Sequence, residues 1–208
     1  MLPFVIPSAC AIDTSGAMAG ATGAKRTKLR DLAGLFADEA AFSALAATAG
    51  DDLAYGVDEF RPDRVAPQEL IFGTSTLQAG RVGDEFLMTR GHIHVKSDRP
   101  EIYFCQEGEG VMHMELPDGT TQPVGMRPGT VVYVPPYWIH RSVNTGKTPL
   151  VTFFCYPADA GQDYEIIARA GGMKTLIVAD GDGWREAPNP RYRGRDAGEI
   201  ARYTAAAA

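Results

Sequence analysis

Residues 84–104 read DEFLMTRGHIHVKSDRPEIYF, and within them Gly91-His92-Ile93-His94 is followed seven residues later by Glu101. On an extended strand, residues i and i+2 point to one face, about 7 Å apart along the chain. His92 and His94 therefore share a face, and their imidazoles can converge on one ion. Glu101 opens the next apolar run, EIYF, after a turn set by Asp98-Arg99-Pro100. Neither run is long enough for a helix, and both are rich in β-branched and aromatic residues.

The same grammar extends outward from this stretch. ELIFGTSTL (69–77), GVMHMEL (110–116), TVVYVP (130–135), HRSVNT (140–145) and LVTFFCYP (150–157) alternate with turn-rich separators such as EGEG, PDGT, RPGT and NTGKTP. Asp118-Gly119 supplies the positive φ of a tight hairpin. Many short strands at regular spacing indicate an all-β barrel or jelly roll, which protects its strand edges by closure or packing.

Three blocks follow along the chain: an N-terminal extension over 1–54, a barrel over 55–168, and a C-terminal strand and polar tail over 169–208. Within the first, Met1 to Ala11 is apolar but short, lacks a basic start and contains Pro3 and Pro7. It reads as an ordered leading strand rather than a signal peptide. Residues 13–24 form an irregular connector. Asp38 is the N-cap of a short helix running to about Thr48, which Gly50 closes. In the last block, MKTLIVADGDGW (173–184) gives one strand with a turn, and EAPNPRYRGRD (186–196) gives a polar tail. TAAAA at the end carries no structural signal.

The chain has 208 residues, 45% of them hydrophobic, and a formal net charge of −6. There is no basic stripe for nucleic acid and no apolar run long enough to span a membrane. Cys10, Cys105 and Cys155 are odd in number and form no C-x-x-C, which points to a reducing, cytoplasmic setting rather than a disulfide scaffold.

His140 follows the rigid Pro135-Pro136 corner and opens another strand. Three of the four histidines thus join Glu101 in one set: His92, His94, Glu101 and His140. His113 falls outside the pattern and reads as a structural or solvated residue. Three imidazoles and a carboxylate differ from the thiolate set of a structural zinc. They suit Fe(II) first, with Mn(II), Ni(II), Co(II) or Zn(II) as alternatives. Four protein ligands on an octahedral ion leave two open positions for two neighbouring substrate oxygens. Around the set, Thr74, Ser75 and Thr89 supply hydroxyls, Gly91 permits close backbone approach, and Lys96 and Arg99 add positive charge. Tyr103, two residues beyond Glu101, shares its inward face.

At these residues the chain resembles the cupin superfamily: G-x-H-x-H-(x)6-E looks like its first motif and PGTVVYVPPYWIH its second. More specifically it resembles the cupin-type phosphoglucose isomerases. VGDEFLMTRGHIH, DRPEIYF, GEGVMHMELPDG, MRPGTVVYVPPYWIHRSVNTG and CYPADAGQDY carry the likeness, with KRTKLRDLAGLFADE before and PNPRYR after them, over roughly residues 24–193. The resemblance implies a metal-dependent glucose-6-phosphate isomerase with a cupin barrel. It implies His92, His94, Glu101 and His140 as ligands. Ser75, Thr89, the Gly91 backbone and Tyr156 would surround the phosphate, and Tyr55, Tyr103 and Tyr164 would line the sugar pocket. It also implies a homodimer with exchanged leading strands. Two departures concern the site: Gln162 stands where the family usually has His, and Ser75 where it usually has Thr.

For aldose–ketose interconversion, hydrogen must move between C1 and C2, both of which carry oxygen. A metal can polarise whichever oxygen is the carbonyl, while a carboxylate moves the proton. Glu101 is the candidate base, acting through the oxygen that does not face the metal, with Tyr103 beside it. A direct hydride shift needs only the metal. The same ligand set on a barrel also supports an Fe(II) oxygenase, and a non-catalytic sugar-binding module is a third reading. Hydroxyls and basic groups near the ligands favour a sugar phosphate over an oxygenase's usual substrates, and Arg99 is counted among the substrate-binding residues on that ground.

Overall fold

The computed structural model describes residues 7–205. The leading strand expected over 1–11 falls mostly outside them, and residues 7–10 carry no strand. Two short strands pair with each other: β1 (Ala11–Ile12), just before the expected connector, and β2 (Met18–Ala19), within it. After β3 (Gly23–Lys28), a single 3-10 turn over Leu29–Leu32 buries Leu29 and Leu32. Helix α1 (Glu39–Ala49) follows, and the Asp38 carboxylate accepts the Ala41 N–H as the N-cap. Gly50 ends this helix, although not through a left-handed turn: its φ is −61°. Glycine is needed for space, because a Cβ there would lie 2.4 Å from the Ala46 carbonyl oxygen.

The body is built from β4 (Leu53–Phe60), β5 (Leu70–Leu77), β6 (Arg81–Val82), β7 (Glu85–Phe86), β8 (Glu101–Glu107), β9 (Gly110–Glu115), β10 (Thr121–Met126), β11 (Val131–Val134), β12 (Ile139–Asn144) and β13 (Leu150–Pro157). After it come α2 (Glu165–Arg169), a hairpin of β14 (Thr175–Asp180) and β15 (Gly183–Pro188), and α3 (Ala197–Thr204). The largest sheet has the order β11-β8-β13-β5-β4-β3, facing a smaller sheet β10-β9-β12. Every strand pair is antiparallel. The two sheets pack face to face in the manner of a jelly roll; among the described residues, hydrogen bonds do not close them into a barrel. β3, from the stretch expected to lie outside the barrel, is the edge strand of the main sheet.

Alternation decides which side chains face inward. On β8, Glu101, Tyr103 and Cys105 are buried, while Ile102 and Phe104 are exposed. The inner faces supply one core: Ile71, Leu77 and Phe154 from the large sheet meet Val111, Met112 and Val143 from the small one. β9 and β12 are buried along their whole length, because a further layer covers their outer side.

That layer corrects the reading of the C-terminus. Two strands, not one, follow residue 168, and β14 also pairs with β7. Residues 186–188 of the expected polar tail belong to β15, and α3 buries Tyr203 in a second apolar cluster with Ile93, Ile139, Ile166, Ile167 and Met173. The missed signal is Asp196, three residues before Glu199: its carboxylate accepts the Glu199 N–H as an N-cap.

Candidate metal centre

The extended run that carries His92 and His94 resolves into β7 and a segment held by isolated bridges at Met88, His92 and Ile93. The His92 N–H donates to the His140 carbonyl at 3.1 Å, and the His140 N–H returns the bond at 2.9 Å. Two ligand candidates are thus fixed side by side through their own backbones. Glu101 is the first residue of β8, and His94 follows His92 by one pleat, with ring centroids 5.4 Å apart.

All four side chains are buried, and one ligand atom from each falls within 4.8 Å of the others. Glu101 Oε2 lies 2.9 Å from His140 Nε2, 3.2 Å from His94 Nε2 and 3.8 Å from His92 Nε2. Ligands about 2.1 Å from one ion stand about 3 Å apart when adjacent, so the cluster has the right span. His94 Nδ1 is 2.8 Å from the Arg99 carbonyl, and His140 Nδ1 is 3.1 Å from the Trp138 carbonyl. Each Nδ1 must carry its proton to bond a carbonyl, which leaves the Nε2 lone pair facing the cluster.

Within the cluster, two buried atoms have no hydrogen-bond partner: His94 Nε2 and Glu101 Oε1. An orphaned imidazole nitrogen beside a buried carboxylate is costly unless something binds there. Burial, and then neighbouring His140, push the His92 pKa down to about 4, so its ring is neutral and able to ligate. Burial alone would raise Glu101, but the neighbouring imidazoles of His140, His92 and His94 hold its carboxyl well below its usual range. A neutral His92 ring and an ionised Glu101 are forms a divalent cation requires, and with the inward-facing Nε2 atoms of His94 and His140 the residues fit such an ion.

An open cavity leads to this cluster. It is lined by His92, Glu101 and His140 and by Tyr55, Ser75, Thr89, Gly91, Tyr103, Tyr156 and Tyr164. The Thr89 hydroxyl accepts the Ser142 N–H at 3.1 Å. Gly91 has φ +74°, and a Cβ there would meet Arg141 Cβ at 2.7 Å and the His140 carbonyl oxygen at 2.9 Å. No other residue fits that position without displacing backbone. Burial raises the phenols of Tyr103, Tyr156 and Tyr164, and the Glu101 charge adds to the rise at Tyr103. All three stay protonated and can donate. Gln162 Nε2 lies 3.3 Å from His92 Nε2, and the Tyr164 hydroxyl donates to Gln162 Oε1.

Two expected polar contacts lie elsewhere. Arg99 does not line the cavity: its Nε and Nη2 bond the Asp159 carboxylate at 3.0 Å each, and its Nη1 bonds Asp98 at 2.7 Å. Lys96 is likewise bound to Asp159, at 2.8 Å. Thr74 points to the opposite side of β5 from Ser75 and donates to the Gly16 carbonyl. Positive charge reaches the cavity from residues the sequence did not single out: Lys25, Arg61, Arg90 and Arg141. Lys25 Nζ sits 4.9 Å above the Tyr164 ring, and Arg90 bonds the Asp31 carbonyl. Arg61 is paired with Glu59. Lys25 lies on β3, far from the ligands in sequence, and no local motif marks it.

The glucose-6-phosphate isomerase (GPI) family model matches residues 26–193. A glucose-6-phosphate isomerase of Sinorhizobium medicae is 55% identical over 197 residues, covering 94% of this chain and 92% of that one. One from Thermococcus gammatolerans is 44% identical over 172 residues, covering 82% and 89%. One from Pyrococcus furiosus is 42% identical over 173 residues, covering 82% and 90%. A solved oxalate oxidase overlaps 52% of this chain and 54% of its own at a TM-score of 0.44 and 16% identity. With matches spanning nearly its whole length, the chain belongs to the glucose-6-phosphate isomerase (GPI) family.

Proposed function

We propose that this protein interconverts glucose 6-phosphate and fructose 6-phosphate. The observation that carries the reading is a buried cluster of three imidazoles and one carboxylate at the foot of a cavity lined by hydroxyls, phenols and basic groups. The relatives named above as glucose-6-phosphate isomerases support the same substrate. His92, His94, Glu101 and His140 would hold a divalent ion, Fe(II) by preference. That ion supplies Lewis acidity toward the substrate's C1 and C2 oxygens.

The chain's own groups do the rest. Glu101 Oε2 faces the imidazoles, whereas Oε1 is buried and free of hydrogen bonds. Oε1 is therefore the atom that takes a proton from one substrate carbon and returns it to the other. Tyr103, protonated and on the same face of β8, donates to a substrate oxygen. Ser75, Thr89 and the Gly91 backbone receive the phosphate, with Lys25 and Arg90 supplying charge in place of Arg99. Tyr55, Tyr156 and Tyr164 wall the sugar and exclude water.

Exposed Ile102, Phe104, Val131 and Tyr133, on the paired strands β8 and β11, give a homodimer an apolar surface. Cys10, Cys105 and Cys155 are all unpaired, in keeping with a reducing cytoplasmic setting. No helix among the described residues is long and apolar enough to cross a membrane.

The test is a coupled assay on protein stripped with EDTA and reloaded with Fe(II), Mn(II), Ni(II), Co(II) or Zn(II). Fructose 6-phosphate is offered, and a dehydrogenase reports glucose 6-phosphate. Metal-restored turnover is the expected result. Stoichiometric metal binding with no turnover on any ion would overturn the isomerase reading.

A further inference from the structure

We infer that Asp159 and Arg99 are positioning residues for the metal centre, fixing the backbone carbonyl that orients His94. The inference rests on the metal reading above. Arg99 meets Asp159 through a two-point fork, Nε to Oδ1 and Nη2 to Oδ2, both 3.0 Å. The Asp159 side chain is only 5% exposed and takes a further bond from Lys96 Nζ at 2.8 Å. A planar fork fixes the guanidinium in direction as well as distance. Arg99 is also the residue whose carbonyl holds His94 Nδ1 at 2.8 Å.

The fork closes a longer zipper. Val95, Lys96 and Asp163 donate their N–H groups to the Gly161, Ala160 and Ile93 carbonyls, at 3.3, 2.9 and 2.8 Å. Residues 93–99 are thereby strapped to residues 159–163. The strap reaches a second ligand. The Ser97 carbonyl accepts the Tyr137 N–H at 2.6 Å, and Tyr137 is held at φ +76°, a conformation non-glycine residues rarely adopt. The next residue, Trp138, offers the carbonyl that orients His140 Nδ1. One loop, pinned by one buried carboxylate, therefore sets the ring orientation of two of the three imidazoles. Outer partners of this kind tune ligand basicity and aim, and their loss costs about 10–100-fold in metal affinity.

The experiment is a titration of EDTA-stripped protein with Co(II), read by its visible absorption, alongside melting of the stripped protein. Asp159→Asn and Arg99→Lys are compared with the parent and with Lys28→Gln, which removes the separate Lys28–Asp51 pair. Asp159→Asn is expected to weaken Co(II) binding at least tenfold and to alter the band shape. Arg99→Lys, which keeps the charge but loses the fork, should fall between it and the parent, and Lys28→Gln should match the parent. Affinities and spectra of both loop variants within twofold of the parent would overturn the inference while leaving the metal reading intact. So would a lowered melting temperature with unchanged Co(II) binding, which marks a purely structural pair. A parent that binds no Co(II), Mn(II) or Fe(II) would overturn the metal reading itself and this inference with it.

Discussion

His140 Nε2 and Glu101 Oε2 stand 2.9 Å apart although 39 residues separate them in the chain. β12 and β8 belong to different sheets, so this approach exists only because the two sheets pack face to face. Removing one partner leaves the other buried without its counterpart. His140→Ala should weaken binding of a divalent ion on the order of 100-fold or more, with the far-ultraviolet circular dichroism of the sheets retained. Metal analysis of dialysed protein checks the outcome. Full activity with no bound metal would remove His140 from the site.

Glu101→Gln keeps the side chain's shape and one possible ligand oxygen, but it cannot carry the proton. Turnover should fall about 10²–10⁴-fold, with KM changed far less. An equal fall in turnover and affinity would reduce Glu101 to a ligand. Running the parent reaction in D₂O complements this test. Deuterium at C2 of the product is expected from solvent-exchanging transfer through Oε1, and its absence would favour a hydride shift or a shielded proton transfer.

Gly91→Ala tests the close approach of the chain to the cavity floor. The added Cβ meets Arg141 Cβ at 2.7 Å, Ile167 Cδ1 at 2.8 Å and the His140 carbonyl oxygen at 2.9 Å, at a φ of +74°. Strain and overlap together should cost about 2 kcal/mol or more of stability, read by urea unfolding. His140 is displaced by the same contact, so metal affinity should fall too. A stability within 0.5 kcal/mol (about the spread of neutral surface changes) would show that the segment can shift freely.

Asp163 ties α2 and α3 to the body. Arg169 Nη2 donates to it at 2.7 Å, and the Tyr203 hydroxyl donates to the same carboxylate. Partial burial alone would raise its carboxyl, but Arg169 and then Tyr203 bring it down to about 2 from an ordinary 3.8. A carboxyl with a depressed folded pKa stabilises above its unfolded pKa and loses that contribution as pH falls through the folded one. Stability should therefore drop between about pH 4 and pH 2. Asp163→Asn should flatten that part of the curve and loosen α3, seen as faster amide exchange around Tyr203. Parallel curves for parent and variant would contradict the assignment.

The buried cluster of His92, His94, Glu101 and His140 was legible in the sequence because each member announces itself locally. H-x-H on an extended segment shares a face, Glu101 opens an apolar run, and His140 follows a Pro-Pro corner. The jelly-roll strands were legible for the same reason, since alternation and Asp-Gly turns are short-range signals. Arg99 shows where such reading stops. Its place beside the ligands implied a substrate contact, but a side chain's partner is whatever the fold brings within reach, and here that is Asp159, 60 residues away. Lys25 shows the converse: it is remote in sequence yet lines the cavity, because β3 is the edge of the sheet that forms one wall.

The sequence by itself determined the all-β class and picked out the three histidines and one glutamate that the fold gathers into a buried cluster. Local periodicity and residue chemistry suffice for these, whereas Tyr55, Tyr156 and Tyr164 were marked only by the resemblance to the cupin-type isomerases. Only the tertiary structure decided that the sheets pack without closing, that the C-terminal segment folds as a hairpin and helix over the small sheet, and which cations face the cavity. Each of these depends on contacts between distant segments, where burial and pairing are set by packing and not by neighbours along the chain.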